Sequence, residues 1–341
     1  MKGHIIALDA MGGDNAPEAI IAGGVSALRA FPDISLLMAG PAERLQGLLK
    51  DAEDVRDRIE ILPADEIITM DEPPMLAVRR KVNSSLVKAM MAVREGRAGA
   101  IVSAGSTGAV LAGGMLRIGR IQGIERPALA PVLPGLKKQF LLIDCGANVD
   151  CQPRYLLQFG LMGSVYMKSV MGVEDPAVGL VNIGVEEEKG NRLTKETYQL
   201  MKQQTSYRFA GNCEARDIPS GDFDVVVTDG FAGNVILKYT EGLVGTVMGM
   251  LKHRMMENNR TRLGAALAKP AFSAFKKDMD YNAVGGAPML GVQGAVVKAH
   301  GSSGDVAIMN AIRQAKIMLD GDVVGKISAG LAGLGEEKIE N

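Results

Sequence analysis

The segment SAGSTGA, Ser103 to Ala109, sets small residues directly after an apolar run and directly before a helix-forming one. Successive N–H groups of Gly105, Ser106, Thr107 and Gly108 would then open a helix, whose orphan donors and dipole favour a phosphate-like anion. The Ser106 and Thr107 hydroxyls either add donors or cap the helix. LDAMGGDNAP, Leu8 to Pro17, has the same grammar. Gly12 and Gly13 allow close backbone approach to a ligand, and Pro17 suits a first helical position. Asp9 and Asp14 are better placed to shape this loop than to touch an anion.

Related strand, small-residue loop and helix units recur at LLIDCGANVDCQP (141–153), LVNIGVEEEKGN (180–191) and VVVTDGFAGN (225–234), and AHGSSGD (299–305) precedes a final helix. In an open parallel sheet such loops gather at one edge, where ligands bind beyond the strand ends. Missing motifs narrow the chemistry further. The chain has no GxxxxGK[ST], HExxH or GxSxG element, and its three histidines, His4, His253 and His300, exclude a histidine-rich metal site. Backbone amides, hydroxyls and a few cations remain. Arg79 and Lys81 in RRKVNSS and Lys189 in EEEKGN are candidate anion contacts, though such runs are more often solvated turns.

These loops require an α/β scaffold. Patterning predicts strands at 4–9, 35–39, 59–62, 100–104, 139–143, 177–182 and 223–228. It predicts helices at 17–30, 41–51, 84–95, 106–118, 154–171, 192–204 and 306–319. No linker or repeat divides the chain, so residues 1–335 read as one catalytic α/β domain, or as two closely joined lobes. A helical segment at about 240–280 stands apart. Leu243, Val247, Leu251 and Met255 recur there at helical spacing. Beyond them Leu263, Leu267, Phe272 and Phe275 alternate with Arg260, Arg262, Lys269, Lys276 and Lys277. An apolar stripe beside cations suits an anionic membrane surface or, equally, a dimer interface. Pro270 interrupts the stripe and predicts a helical hairpin.

With 38 basic and 39 acidic residues and no Trp, the chain offers neither a net charge nor stacking platforms for nucleic acid. Its three cysteines lack CxxC spacing, consistent with reduced, cytosolic thiols. The start, MKGHIIALDA, has too short an apolar run for a signal peptide. The uncharged stretch from Ala98 to Leu116 is long enough to span a bilayer, but its glycines, serines and threonine predict a buried strand, a polar loop and a packed helix instead.

In order, IALDAMGGDNAP, RRKVNSS, SAGSTGA, NIGVEEEKG, GNCEARD, TDGFAGNVILK and GGAPMLGVQG with AHGSS resemble the PlsX-type phosphate acyltransferases of bacterial phospholipid synthesis. Nearly the whole chain takes part, although Ser106 stands where the family pattern has Asn. The resemblance implies a three-layer αβα fold like isocitrate and isopropylmalate dehydrogenases, related to phosphotransacetylase. It also implies transfer of a fatty acyl group from acyl carrier protein to inorganic phosphate, a homodimer, and no metal or other cofactor. The expected location is the cytoplasm, peripherally at the inner face of the membrane, whether held by lipid or by a membrane glycerol-phosphate acyltransferase. TDGFAGN resembles an active-site segment of phosphotransacetylases, and His300 stands where those relatives have Arg. Asp229, Asn234 and His300 are therefore the candidate catalytic residues. Two alternatives remain on the residues alone: a nicotinamide-dependent decarboxylating dehydrogenase of the same fold, and a nonenzymatic membrane-associated scaffold.

Overall fold

Apolar strands separated by helices fold into two sheets that share one core. The structure is a computed structural model describing residues 3–278 and 285–334. The strands are β1 (His4–Asp9), β2 (Ile34–Gly40), β3 (Ile59–Pro63), β4 (Ala100–Ser103), β5 (Ala128–Leu129), β6 (Val132–Leu133), β7 (Phe140–Ile143), β8 (Ala177–Asn182), β9 (Arg208–Glu214), β10 (Val225–Val227), β11 (Ala287–Leu290) and β12 (Ala295–Lys298). The helices of the first half are α1 (Glu18–Ala30), α2 (Ala42–Leu48), α3 (Pro74–Arg80), α4 (Ser85–Arg94) and α5 (Thr107–Gly113). They are followed by α6 (Pro153–Val170), α7 (Arg192–Gln203), α8 (Gly230–Met255), α9 (Asn259–Asp278), α10 (Asp305–Asp320) and α11 (Val323–Gly330).

The larger sheet has the order β3-β2-β1-β4-β12-β11-β5, and the smaller one β6-β7-β10-β8-β9. Pairing is parallel except where β11 meets β12 and β5 and where β6 meets β7. All seven predicted strands form. Alternation along them explains the layers: Ile6 and Leu8 join the core beneath α1 and α10, while Ala7 joins the one beneath α4 and α5. The first core continues through Leu156, Phe159 and Met162 of α6 to Leu141, Val178 and Val225 of the smaller sheet. Thus α6 serves both sheets.

Two helical expectations change. Pro270 lies inside α9, and the hairpin turns instead between Met255 and Asn259. The helix after AHGSSGD is not the last among the described residues, because α11 follows it. Residues 279 and 280, at the end of the predicted helical segment, lie outside the described residues, as do residue 335 and the side chains of Lys276 and Lys277.

The sheets are fastened at Asp144, directly after β7. Its Oδ1 accepts from Leu129 N of β5 at 2.9 Å and from Ala147 N at 3.2 Å; its Oδ2 accepts from Asn148 N at 2.7 Å and Asn148 Nδ2 at 3.0 Å. Asp144 is fully buried, and burial pushes its carboxyl above the ordinary aspartate range, against the opposing pull of these donors. Asp144→Ala should strand several buried N–H groups and lower the unfolding free energy by at least about 3 kcal/mol in a urea titration. A loss below about 1 kcal/mol would show that the joint is held elsewhere.

Candidate active site

Three loops from the adjacent strands β1, β4 and β12 meet at their carboxyl ends. Asp14 N donates to Gly301 O at 2.8 Å, and Asn15 Nδ2 donates to Ser302 O at 3.0 Å, so the first loop is laced to the third. A Cβ on Gly12 would lie 2.8 Å from Gly105 N and 2.4 Å from Asp9 Oδ2. Gly13, at φ 106°, would meet Ala104 Cβ at 2.9 Å. The glycine pair is therefore required by close approach of the β1 loop to the β4 loop.

Below the loops lies a buried polar row on the face that carries α4 and α5. Ser103 Oγ donates to Asp9 Oδ2 at 2.7 Å and accepts from Gly105 N at 3.1 Å. Next in register, opposite Ser103, stands Lys298, only 7% exposed. Burial pushes the Asp9 carboxyl up, opposed by the Ser85 and Ser103 hydroxyls and the Lys298 charge. Burial likewise pushes the Lys298 ammonium down to about 8, against the pull of Asp9 and Asp14. Motif reading overlooked Lys298. The available signal was one lysine closing the otherwise apolar strand Ala295–Lys298.

At the SAGSTGA loop the structure divides the four residues. Gly105 has already committed its N–H to Ser103. Ser106 takes the N-cap position of α5 with no side-chain cap bond, and Thr107 is exposed. Gly108 is glycine for packing, because a Cβ there would stand 2.6 Å from Pro74 Cγ at the start of α3. The N–H groups of Ser106, Thr107 and Gly108 have no intrahelical acceptor, being in the first turn.

A second cluster faces these loops from the smaller sheet. Asp229 caps α8 by accepting from Ala232 N at 2.8 Å. Gly230 N donates to Asn148 O at 2.8 Å, and a Cβ on Gly233 would overlap the Asp144 carbonyl oxygen. Asn234 is exposed beside Gly146, and Lys238, one turn along α8, is paired with Glu241 at 2.8 Å while its charge helps to lower the Lys298 ammonium. The ground between the β1, β4 and β12 loops and the start of α8 is taken as the candidate cleft, the two sides being near enough for the Lys238 charge to bear on Lys298. His300 is exposed on the β12 loop, with Nδ1 2.8 Å from Ser302 Oγ.

The basic candidates separate. Lys81 is an internal strut, 2.7 Å from Glu72 Oε1 and donating to Ile67 O at 2.8 Å. Arg79 and Arg80 are exposed at the end of α3. Lys189 is exposed on the β8 loop, and its carbonyl accepts from Asn182 Nδ2 at 3.1 Å. Leu263 and Leu267 stand 64% and 77% exposed on α9. Phe272 instead turns toward α8, lining a groove of about 640 Å³ with Met248, Leu251 and Met255.

Comparison with known proteins decides the family. The family model described as fatty acid synthesis protein matches residues 4–326. A phosphate acyltransferase of Clostridium botulinum (strain Loch Maree / Type A3) is 50% identical over 335 residues, covering 98% of this chain and 100% of that one. The chain belongs to the phosphate acyltransferases. A Clostridium acetobutylicum phosphate acyltransferase is 49% identical over 324 residues, covering 95% of this chain and 98% of its own. The fold of this acyltransferase is that of phosphotransacetylases. The EutD phosphotransacetylase of Staphylococcus aureus superposes with a TM-score of 0.60 at 16% identity, covering 93% of this chain and 94% of that chain. A Streptococcus pyogenes phosphotransacetylase gives 0.60 at 15%, over 94% and 95%. Family membership sets aside the dehydrogenase and scaffold alternatives.

Ser103→Ala in this acyltransferase should leave the Gly105 N–H and the Asp9 carboxylate short of a partner at once. The expected cost is about 1–3 kcal/mol of stability by denaturant titration, with activity reduced in parallel as the loop loosens. Unchanged stability would mean that the row does not hold the loop.

Proposed function

We propose that this acyltransferase moves a fatty acyl group from the thioester of acyl carrier protein to inorganic phosphate, supplying acyl phosphate to phospholipid synthesis. The observation that carries the reading is the meeting of three loops from adjacent parallel strands at a cleft furnished with free amides and a buried cation, in a chain 50% identical to phosphate acyltransferases. Phosphate itself is the nucleophile, so the protein's work is to hold an anion against a carbonyl. A phosphate oxygen attacks the carbonyl carbon, charge moves onto the carbonyl oxygen, and the C–S bond breaks to release the carrier thiolate. The thiolate, from a thiol of pKa ~8.5, leaves without strong acid catalysis.

The Ser106, Thr107 and Gly108 amides suit the phosphate, with Gly12, Gly13 and Asp14 shaping the wall beside it. Asn234 and His300 are the candidate donors to the developing oxyanion, and Asp229 fixes the start of α8 that presents Asn234. Arg79, Arg80 and Lys189 supply positive charge for an acidic carrier protein, which would speed encounter. Lys81 is less suited, being spent on Glu72.

The same reading gives the exposed helical pair two tasks. Leu243, Val247 and Met250 on α8 are 46%, 50% and 65% exposed, an apolar row suited to a second copy in a homodimer. Leu263 and Leu267, with Arg260 and Arg262 nearby, suit shallow insertion into the anionic inner face of the membrane. No described helix is long and apolar enough to cross a membrane.

Phosphate-dependent release of free thiol from acyl carrier protein thioester is the direct test, and no release by folded protein would reject the reaction. His300→Ala should lower turnover roughly 10²-fold at unchanged thermal stability. Full activity with a lowered melting temperature would make His300 structural. Separately, the double substitution Leu263→Glu, Leu267→Glu should abolish co-sedimentation with anionic liposomes while activity in solution persists. Retained sedimentation, or loss of the dimer, would reject the membrane contact.

A further inference from the structure

Lys298 is the one residue of the site whose chemistry the loop motifs do not explain. An ammonium group has three donors. Among the described residues its Nζ makes a single hydrogen bond, to the carbonyl of its own neighbour Ala299, and no ion pair. A cation this buried is costly unless something completes its shell. Asp9 and Asp14 stabilise its charge from the β1 side. The like charge of Lys238 on α8, itself paired with Glu241 at 2.8 Å, opposes them more weakly. A buried cation with donors unspent describes a seat for an anion.

The position agrees with the reacting groups. Lys298 ends β12 in register with Ser103, and Ser103 holds the Gly105 amide at the start of the loop that offers Ser106 to Gly108. An anion beyond the strand ends would thus meet backbone N–H groups from one side and an ammonium from below.

We infer that Lys298 is a phosphate-binding residue of the acyl transfer, seating the nucleophile from beneath. The inference rests on the acyl-phosphate reading for its substrate but not for its test. The charge of Lys298 also serves the attack, by keeping the phosphate dianion fixed until its oxygen reaches the thioester carbon. Apolar replacement removes a buried charge but also the countercharge of Asp9, so affinity is read only in variant protein shown by circular dichroism to be folded.

The experiment is calorimetric titration of the intact protein with inorganic phosphate, alongside steady-state kinetics with thioester substrate. Lys298→Met should weaken phosphate binding and raise the KM for phosphate at least about tenfold with the thioester KM held, and Lys298→Arg, which keeps the charge beside Asp9, should recover most of the affinity. In the wild type, phosphate affinity should fall as pH rises through about 8, where the ammonium loses its proton in the face of Asp9, Asp14 and Lys238. The Met variant should lack that fall. Phosphate affinity within twofold of wild type in Lys298→Met, or the same pH dependence in both proteins, would overturn the assignment. Wild-type protein that binds phosphate but releases no thiol would instead reject the reaction while leaving the seat intact.

Discussion

The joint between the two sheets, and with it the approach of α8 to the candidate cleft, depends on one buried carboxylate. Asp144 ends a strand of the smaller sheet, yet one of its bonds goes to the backbone of β5 in the larger sheet. A carboxylate in that position is tolerated only when its lone pairs are filled by donors. The donors come from β5 of the larger sheet and from the turn that follows β7. The same segment receives α8: Gly230 and Gly233 have no room for side chains because Asp144 and Asn148 occupy the space. The glycines of TDGFAGN are thus chiefly the means by which α8 approaches the joint, and Asn234 is the side chain that this approach sets beside Gly146.

The opposite wall is built on a different economy of polar groups. Asp9, Ser103 and Lys298 stand side by side on a face otherwise filled by Ala7, Ile101 and Val296. An apolar row would pack there with less penalty. Its replacement by a carboxylate, a hydroxyl and an ammonium makes sense at strand ends, where the row fixes a loop above it through Gly105. The ammonium is held close to the limit of staying charged, and a bound anion would draw it back toward its ordinary basicity.

Much of this organisation was written in local pattern. The seven central strands and their helices follow from apolar runs closed by small-residue loops, and these place the cleft at the carboxyl edge. What escaped the pattern has identifiable causes. β5 and β6 contribute two residues each, separated by Ala130 and Pro131, too short to show a period. β9 reads RFAGNCE, with Arg208 and Gly211 at φ 100° across a register shift, so it lacks an apolar run. Pro74 starts α3, whose length of seven residues leaves little periodicity. Among site residues, Gly108 and Lys81 matched an anion-binding pattern yet are fixed by contacts distant in sequence, with Pro74 and Glu72. Lys298 was invisible for the converse reason: its meaning lies in burial, which a strand of four residues does not announce.

The exposed helical pair follows from the same constraints. α8 must leave the joint as a straight continuation of its first two turns, because Gly230 and Gly233 fix its direction and α9 folds back only after Met255. Beyond Lys238 there is no sheet left to cover it, so Val247 and Met250 face outward and Met248 and Leu251 share a groove with Phe272. A chain that leaves so much apolar surface on one projection, while packing the rest into a continuous core, needs a cover for that projection. An acyl phosphate is both an amphiphile and a reactive anhydride, best released where a lipid surface takes up its chain and water is scarce. The helix that presents Asn234 beside Gly146 is the same one that carries the projection outward, so in the proposed function one element, α8, links the candidate oxyanion donor to the proposed membrane contact.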